Sequence, residues 1–142
     1  MNFNKKMNNF EKFYAAHKQE VLNMRETLAE ELSDEPEALM SQARKVEALY
    51  GRSLFLLSKA NGLLDLAEWE RLPRPSKLMT VLDRQSSIKS SCAPEKEFRD
   101  IIEGIVNAIK QRVMLSQSLL NFHRDLYLSQ PHLKEERRQN EK

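Results

Sequence analysis

Apolar side chains recur at alternating spacings of three and four through the first thirty residues, and this stripe constrains the fold more than any other feature. Beginning at Phe3, it continues through Met7, Phe10, Tyr14, His17, Val21, Met24 and Leu28. A repeat of 3.5 residues is typical of the seam of a left-handed coiled coil, whereas an isolated amphipathic helix shows a broader stripe. We therefore predict a helix over residues 4–32 whose seam is covered by helices of other copies of the chain, with a different protein as the alternative partner. The lone polar residue of the seam, His17, is expected to set register rather than bind a metal.

A second long helix is predicted over residues 36–72. Pro36 is favoured at a first helical position, and the serine and aspartate shortly before it can cap the exposed N–H groups. Further along, Pro73 and Pro75 interrupt the pattern, because proline removes a backbone donor and disfavours helix in the residue before it. The sequence therefore predicts a turn over residues 73–79.

The helical pattern resumes over residues 80–129. Thr80 and Asp83 have the spacing of a capping box, and Pro94 is expected to open a new helix rather than kink a continuous one. Residues 131–142 are charged and aperiodic, so we predict a disordered tail there.

Three glycines and five prolines in 142 residues predict few turns and long elements, because these two residue types punctuate turns. We predict an all-α fold over residues 1–130. It consists of long amphipathic helices with coiled-coil character, assembled as a helical bundle in a homo-oligomer. Gly51, Gly62 and Gly104 fall inside predicted helices, where each costs about 1 kcal/mol relative to alanine. Close crossing of a neighbouring helix is the expected reason.

The composition argues against several classes of function. A single cysteine, Cys92, cannot form an internal disulfide, and the chain shows neither a membrane-spanning apolar run nor a signal-peptide pattern at its start. We therefore expect a cytoplasmic protein without membrane contact. The histidines lie on different elements without zinc-like spacing, and no glycine-rich loop could cradle phosphate. We expect no enzyme activity, no cofactor and no metal.

Charge is uneven along the chain. Residues 44–89 contain nine Lys/Arg and five Asp/Glu, a net of +4, against a net of +2 for the whole chain. The candidate nucleic-acid-binding residues bracket the double-proline turn: Trp69, Arg71, Arg74, Lys77, Arg84 and Lys89. Aromatic rings that stack on bases, together with cations that hold phosphates, are typical of single-strand binding. The alternatives are a hydrophobic cap on the bundle for Trp69 and ordinary solvated helix faces for the charges.

Two short segments stand out in the second half of the chain: Thr80-Val81-Leu82 shortly after a lysine, and Ala108-Ile109-Lys110-x-Arg112 late in the last helix. Through these segments, residues 46–120 resemble the UvsY-type recombination mediators of large tailed phages. The resemblance implies a small helical protein that forms ring oligomers and binds single-stranded DNA. Such a protein helps a recombinase displace the single-strand-binding protein, so both of these are expected partners.

The resemblance also implies a basic DNA-contacting stretch at the end of the helix before the turn. In this chain Asp65, Glu68 and Glu70 lie there, with Arg71 as the one cation. If the chain binds DNA, the contacting cations have moved toward the turn. Two other functions remain open from the sequence: a phage structural or packaging scaffold, and a small helical subunit of a nucleic-acid-guided effector complex.

Overall fold

A computed structural model describes residues 7–72, 80–130, 136 and 138–141. The main helices in these ranges are α1 (Asn9–Ala29), α2 (Pro36–Glu70), α3 (Val81–Ser91) and α4 (Ala93–Ser129). The described ranges contain no strand, and the long helices pack against one another. The predicted all-α fold is confirmed. The predicted turn over 73–79 and most of the predicted tail lie outside the described residues.

Helix α1 begins later than the sequence pattern predicts because a capping box sets its start. The Asn8 side chain accepts a hydrogen bond from the Glu11 backbone N–H at 2.8 Å, and the Glu11 carboxylate accepts one from the Asn8 N–H at 3.1 Å. Asn8 itself has an extended backbone, so the first helical residue is Asn9. The helix ends at Ala29, where Glu30 again adopts an extended conformation.

Prolines and caps set the other helix starts. Pro36 occupies the first turn of α2, as its missing N–H favours. Thr80 and Asp83 form the predicted capping box before α3. Cys92 then separates α3 from α4, and Pro94 lies in the first turn of α4, as expected for a new helix.

Helices α1, α2 and α4 form the core of the molecule. Ion pairs Glu20–Arg52 and Glu30–Lys45 show that α1 and α2 run antiparallel. Phe10 lies against Phe98 near the start of both helices, and Arg112, further along α4, donates a hydrogen bond to the Leu28 carbonyl oxygen near the end of α1. Helices α1 and α4 therefore run parallel, and α2 and α4 are antiparallel. The core combines buried residues of all three helices: Val21, Met24, Val46, Leu56, Ala60, Phe98, Ile102, Ile105 and Ile109.

The heptad stripe of α1 faces this core. Val21 and Met24 are buried within the chain, and Phe10 and Leu28 pack against the same cluster. His17 is half-buried, with its Nδ1 atom 3.2 Å from Glu20 Oε2. The central part of the seam is therefore covered by α2 and α4 of the same chain. Pairing of the stripe with other copies stays a prediction. Within the described residues, the seam side chains that remain about half-exposed, and so could contact another copy, are Met7 and Tyr14.

The prediction that the glycines mark close helix crossings is wrong within the chain. A Cβ atom added to Gly51, Gly62 or Gly104 would meet no atom of the described residues within 4 Å. All three lie in the interior of a helix with open space beside them. Packing inside a single copy therefore does not account for glycine at these positions.

Gly62→Ala is therefore expected to stabilise the protein. Alanine needs no rearrangement at this position and removes backbone freedom from the unfolded chain, so the free energy of unfolding should rise by about 0.5–1 kcal/mol. Urea unfolding followed by circular dichroism measures this change. A loss of stability would contradict the open environment of Gly62.

Candidate nucleic-acid interface

The Arg71 guanidinium is engaged in contacts within the chain, although one third of the side chain is exposed. Its Nη2 atom lies 2.6 Å from Glu95 Oε1, and its Nη1 atom donates a hydrogen bond of 2.7 Å to the Ser91 carbonyl oxygen. The hydrogen bond with Glu95 raises the pKa of Arg71 above its ordinary value. The Glu95 side chain is only 3% exposed. Arg71 thus ties the end of α2 to the end of α3 and the start of α4.

Helical periodicity explains why Arg71 and Trp69 face in different directions. Arg71 follows the buried residues Leu64 and Ala67 by seven and four positions, so it shares their face toward α4. Trp69 lies two positions earlier, about 200° around the helix, and is 77% exposed. The two predicted site residues closest in sequence are therefore on opposite sides of α2.

The remaining predicted residues are dispersed. Arg84 is half-buried and Lys89 is exposed on α3, a short helix that packs on the bundle through Ile88. Arg74 and Lys77 lie outside the described residues. The described part of the predicted site therefore does not form one cluster of cations around Trp69.

The side of α2 turned away from α4 carries a different combination of aromatic and basic residues, which was not predicted from the sequence. Phe55 is 46% exposed and lies between two cations. The Arg52 guanidinium carbon is 5.1 Å from the ring centroid, and the Lys59 ammonium nitrogen is 5.7 Å from it. The sequence could have predicted this cluster, because Arg52, Phe55 and Lys59 are three and four positions apart and therefore lie on one helical face.

Trp69 belongs to the same face. It follows Phe55 by fourteen residues, which is close to four helical turns and about 21 Å along the axis. Leu66, also exposed, lies between them. We call this surface, formed by Arg52, Phe55, Lys59, Leu66 and Trp69, the α2 outer face.

Arg52 has a second contact that orients it. Its Nε and Nη2 atoms donate to the two carboxylate oxygens of Glu20, at 2.5 and 3.0 Å. This hydrogen bonding lowers the pKa of Glu20 and raises the pKa of Arg52, so both groups are charged at neutral pH. The pair fixes Arg52 beside Phe55, whereas the Lys59 side chain is exposed beside the same ring.

In the described parts of the chain, no group of three His, Cys, Asp or Glu residues is placed to hold a metal ion. Nor do these parts include a helix with the length and hydropathy required to cross a bilayer. The Cys92 thiol is buried beneath α3, next to Leu64 and Ala67.

Comparison of the chain with models of protein families, with curated proteins and with solved structures gives no match.

Proposed function

We propose that the protein is a non-enzymatic accessory factor of DNA recombination that binds single-stranded DNA. It assists the loading of a phage recombinase and the displacement of single-strand-binding protein, as the UvsY-type resemblance implies. The observation that supports this proposal best is the α2 outer face, where two exposed aromatic rings share one helix side with basic residues. Aromatic side chains stack on bases of any identity, and cations beside them contact phosphates.

The proposed path of the strand runs along α2 rather than through the turn. Trp69 and Phe55 supply two stacking positions, and Lys59 lies between them along the helix with its charge exposed. Arg71 stabilises the end of α2 instead of contacting DNA. This path differs from the one expected from the sequence, because Arg71 is engaged with Glu95 and Ser91.

Binding by one copy is expected to be weak. The net charge of the chain is +2, and Asp65 and Glu68 lie close to Trp69 in sequence. Several copies that engage one strand multiply weak contacts, because each later contact becomes intramolecular. The affinity should fall steeply with salt, since each phosphate contact releases counterions.

The double substitution Lys59→Ala and Trp69→Ala is expected to weaken binding of single-stranded DNA at least tenfold. Loss of one stacked base costs about 1–3 kcal/mol, and about 1.4 kcal/mol corresponds to a factor of ten. Fluorescence anisotropy of a labelled oligothymidylate at about 50 mM salt, where phosphate contacts are strong, measures the affinity.

The matched control is Lys110→Ala with Tyr127→Ala, which removes an exposed lysine and an exposed aromatic ring from α4. Its affinity should stay within about twofold of the unmodified protein, because surface changes away from a site rarely matter. An equal loss in both variants, or no loss in the first, would remove the α2 outer face from the proposal.

The scaffold function is the second candidate, and the exposed apolar side chains late in α4 favour it. Such side chains mark surfaces for protein contacts when they are contiguous. An assembled protein that binds no oligonucleotide at about 50 mM salt would be a scaffold rather than a DNA-binding factor. A chain that remains monomeric and assembles with foreign subunits would instead fit the effector-complex subunit.

A further inference from the structure

Helix α4 has a second stripe, turned away from α2, that the single chain leaves largely uncovered. Its members recur at spacings of three, four and seven: Ile101, Gly104, Ala108, Leu115, Phe122 and Leu126. This spacing places them on one side of the helix. The stripe has two halves of different character, which divide near residue 113.

The first half of the stripe is the floor of a groove between α1 and α4. An open cavity of about 450 Å³ lies there, lined by Leu28 and Ala29 of α1 and by Ile101, Gly104 and Ala108 of α4. The charged residues Arg25 and Asp100 also contribute to its lining. A smaller cavity of about 210 Å³ continues it toward Leu115. Two of the α4 residues on the floor, Gly104 and Ala108, are small, so the groove has room for large side chains beside them.

The second half of the stripe projects beyond the bundle. Among the described residues of α4 that follow Ser116, none is buried. Leu115, Phe122 and Leu126 are each about half-exposed, although they continue the apolar side of the helix. This half therefore carries large side chains that could occupy the space beside Gly104 and Ala108.

We infer that α4 pairs antiparallel with α4 of a second copy, about a two-fold axis near residue 113. A two-fold axis makes the interface self-complementary, so the projecting half of each copy occupies the groove of the other. In this register Gly104 of one copy lies opposite Phe122 of the other, and Ala108 lies close to Leu119. Large residues thereby face small ones at both ends of the interface.

The pairing also accounts for Gly104. Within one chain a side chain at this position would meet open space, so nothing in the single copy requires glycine there. In the pair, the backbone at Gly104 approaches an aromatic ring of the partner, and a Cβ with further atoms would occupy the space of that ring. The inference does not depend on DNA binding by α2.

The size of the interface suggests a reversible dimer. The stripe from Ile101 to Leu126 is about 39 Å long, and a helix is about 10–12 Å wide. Together with the α1 wall of the groove, two copies would bury on the order of 1,000 Å² of total surface, at the lower end of the range for specific interfaces. We therefore expect dissociation at low micromolar concentrations.

Sedimentation velocity over a range of concentrations, without DNA, tests the pairing. The unmodified chain should form a dimer as concentration rises, and Gly104→Leu should weaken dimerisation at least tenfold. Gly62→Leu is the matched control, because Gly62 is equally open but lies on α2. Circular dichroism must show that both variants are fully helical. If Gly104→Leu does not fold, the less disruptive Gly104→Ala variant is used in its place.

Spin labels test the orientation. In a Cys92→Ser background, labels on Gln111→Cys lie near the axis and should be close together. Labels on Ser129→Cys should be about 48 Å apart plus their linkers, since they lie sixteen residues from the axis in each copy. Monomer at all concentrations, unchanged dimerisation of Gly104→Leu, or short distances at both positions would each overturn the inference. A dimer that instead requires Met7 and Tyr14 would assign the contact to the α1 seam.

Discussion

Ile109→Ala is expected to lower the free energy of unfolding by about 2–5 kcal/mol, the range found when a large aliphatic side chain is truncated in a core. Ile109 is fully buried and belongs to the cluster that joins α1, α2 and α4. The helices around it can close the resulting cavity only in part, because each is held by further contacts along its length. Urea unfolding followed by circular dichroism at 222 nm measures the loss.

Met114→Ala on the same helix is the control for this substitution. Its side chain is 68% exposed, so the free energy of unfolding should change by less than about 0.5 kcal/mol. Should Ile109→Ala prove as mild as Met114→Ala, α4 would not pack against α2 in the register that the structure shows.

Arg71→Ala is expected to lower the free energy of unfolding by about 2–3 kcal/mol. The substitution leaves the Glu95 carboxylate buried without its cation, and removing one partner of a fully buried pair costs about 3–5 kcal/mol. We expect less than that because one third of the Arg71 side chain is exposed and solvent screens the pair. Glu95 Oε2 has no hydrogen-bond partner among the described residues, so little else compensates the charge.

The double variant Arg71→Leu with Glu95→Leu separates an ion-pair effect from a packing effect. Removing both charges together should recover much of the stability, because no uncompensated buried charge remains. DNA affinity of Arg71→Ala, measured under conditions where the variant is folded, should be close to that of the unmodified protein. Normal stability combined with lost DNA affinity would instead make Arg71 a phosphate contact, as the sequence had suggested.

The proposed DNA surface and the proposed dimer surface lie on different helices. The α2 outer face is turned away from α4, and the α4 stripe is turned away from α2. A dimer through α4 would therefore leave both copies of the α2 outer face free to engage a strand. Because DNA binding and dimerisation are proposed for different surfaces, an experiment can refute either proposal without refuting the other.

The helices themselves follow from local sequence. Proline at position 36 and the capping residues Thr80 and Asp83 start helices where the sequence predicted them, because caps and prolines act on backbone groups within one turn. The Asn8–Glu11 box acts in the same way and was equally readable. The apolar stripe of α1 was also correctly identified as a surface that has to be covered, since Val21 and Met24 are buried.

Which surface covers each stripe was decided by tertiary structure. The coiled-coil pattern of α1 is equally compatible with packing against another copy and with packing against α2 and α4. Helices α2 and α4 belong to the same chain, so their effective concentration near α1 is high. Likewise, composition made Arg71 a candidate DNA contact, but the return of the chain through α3 placed Glu95 against it. Periodicity determines which residues share a face, whereas the partner of that face depends on residues distant in sequence.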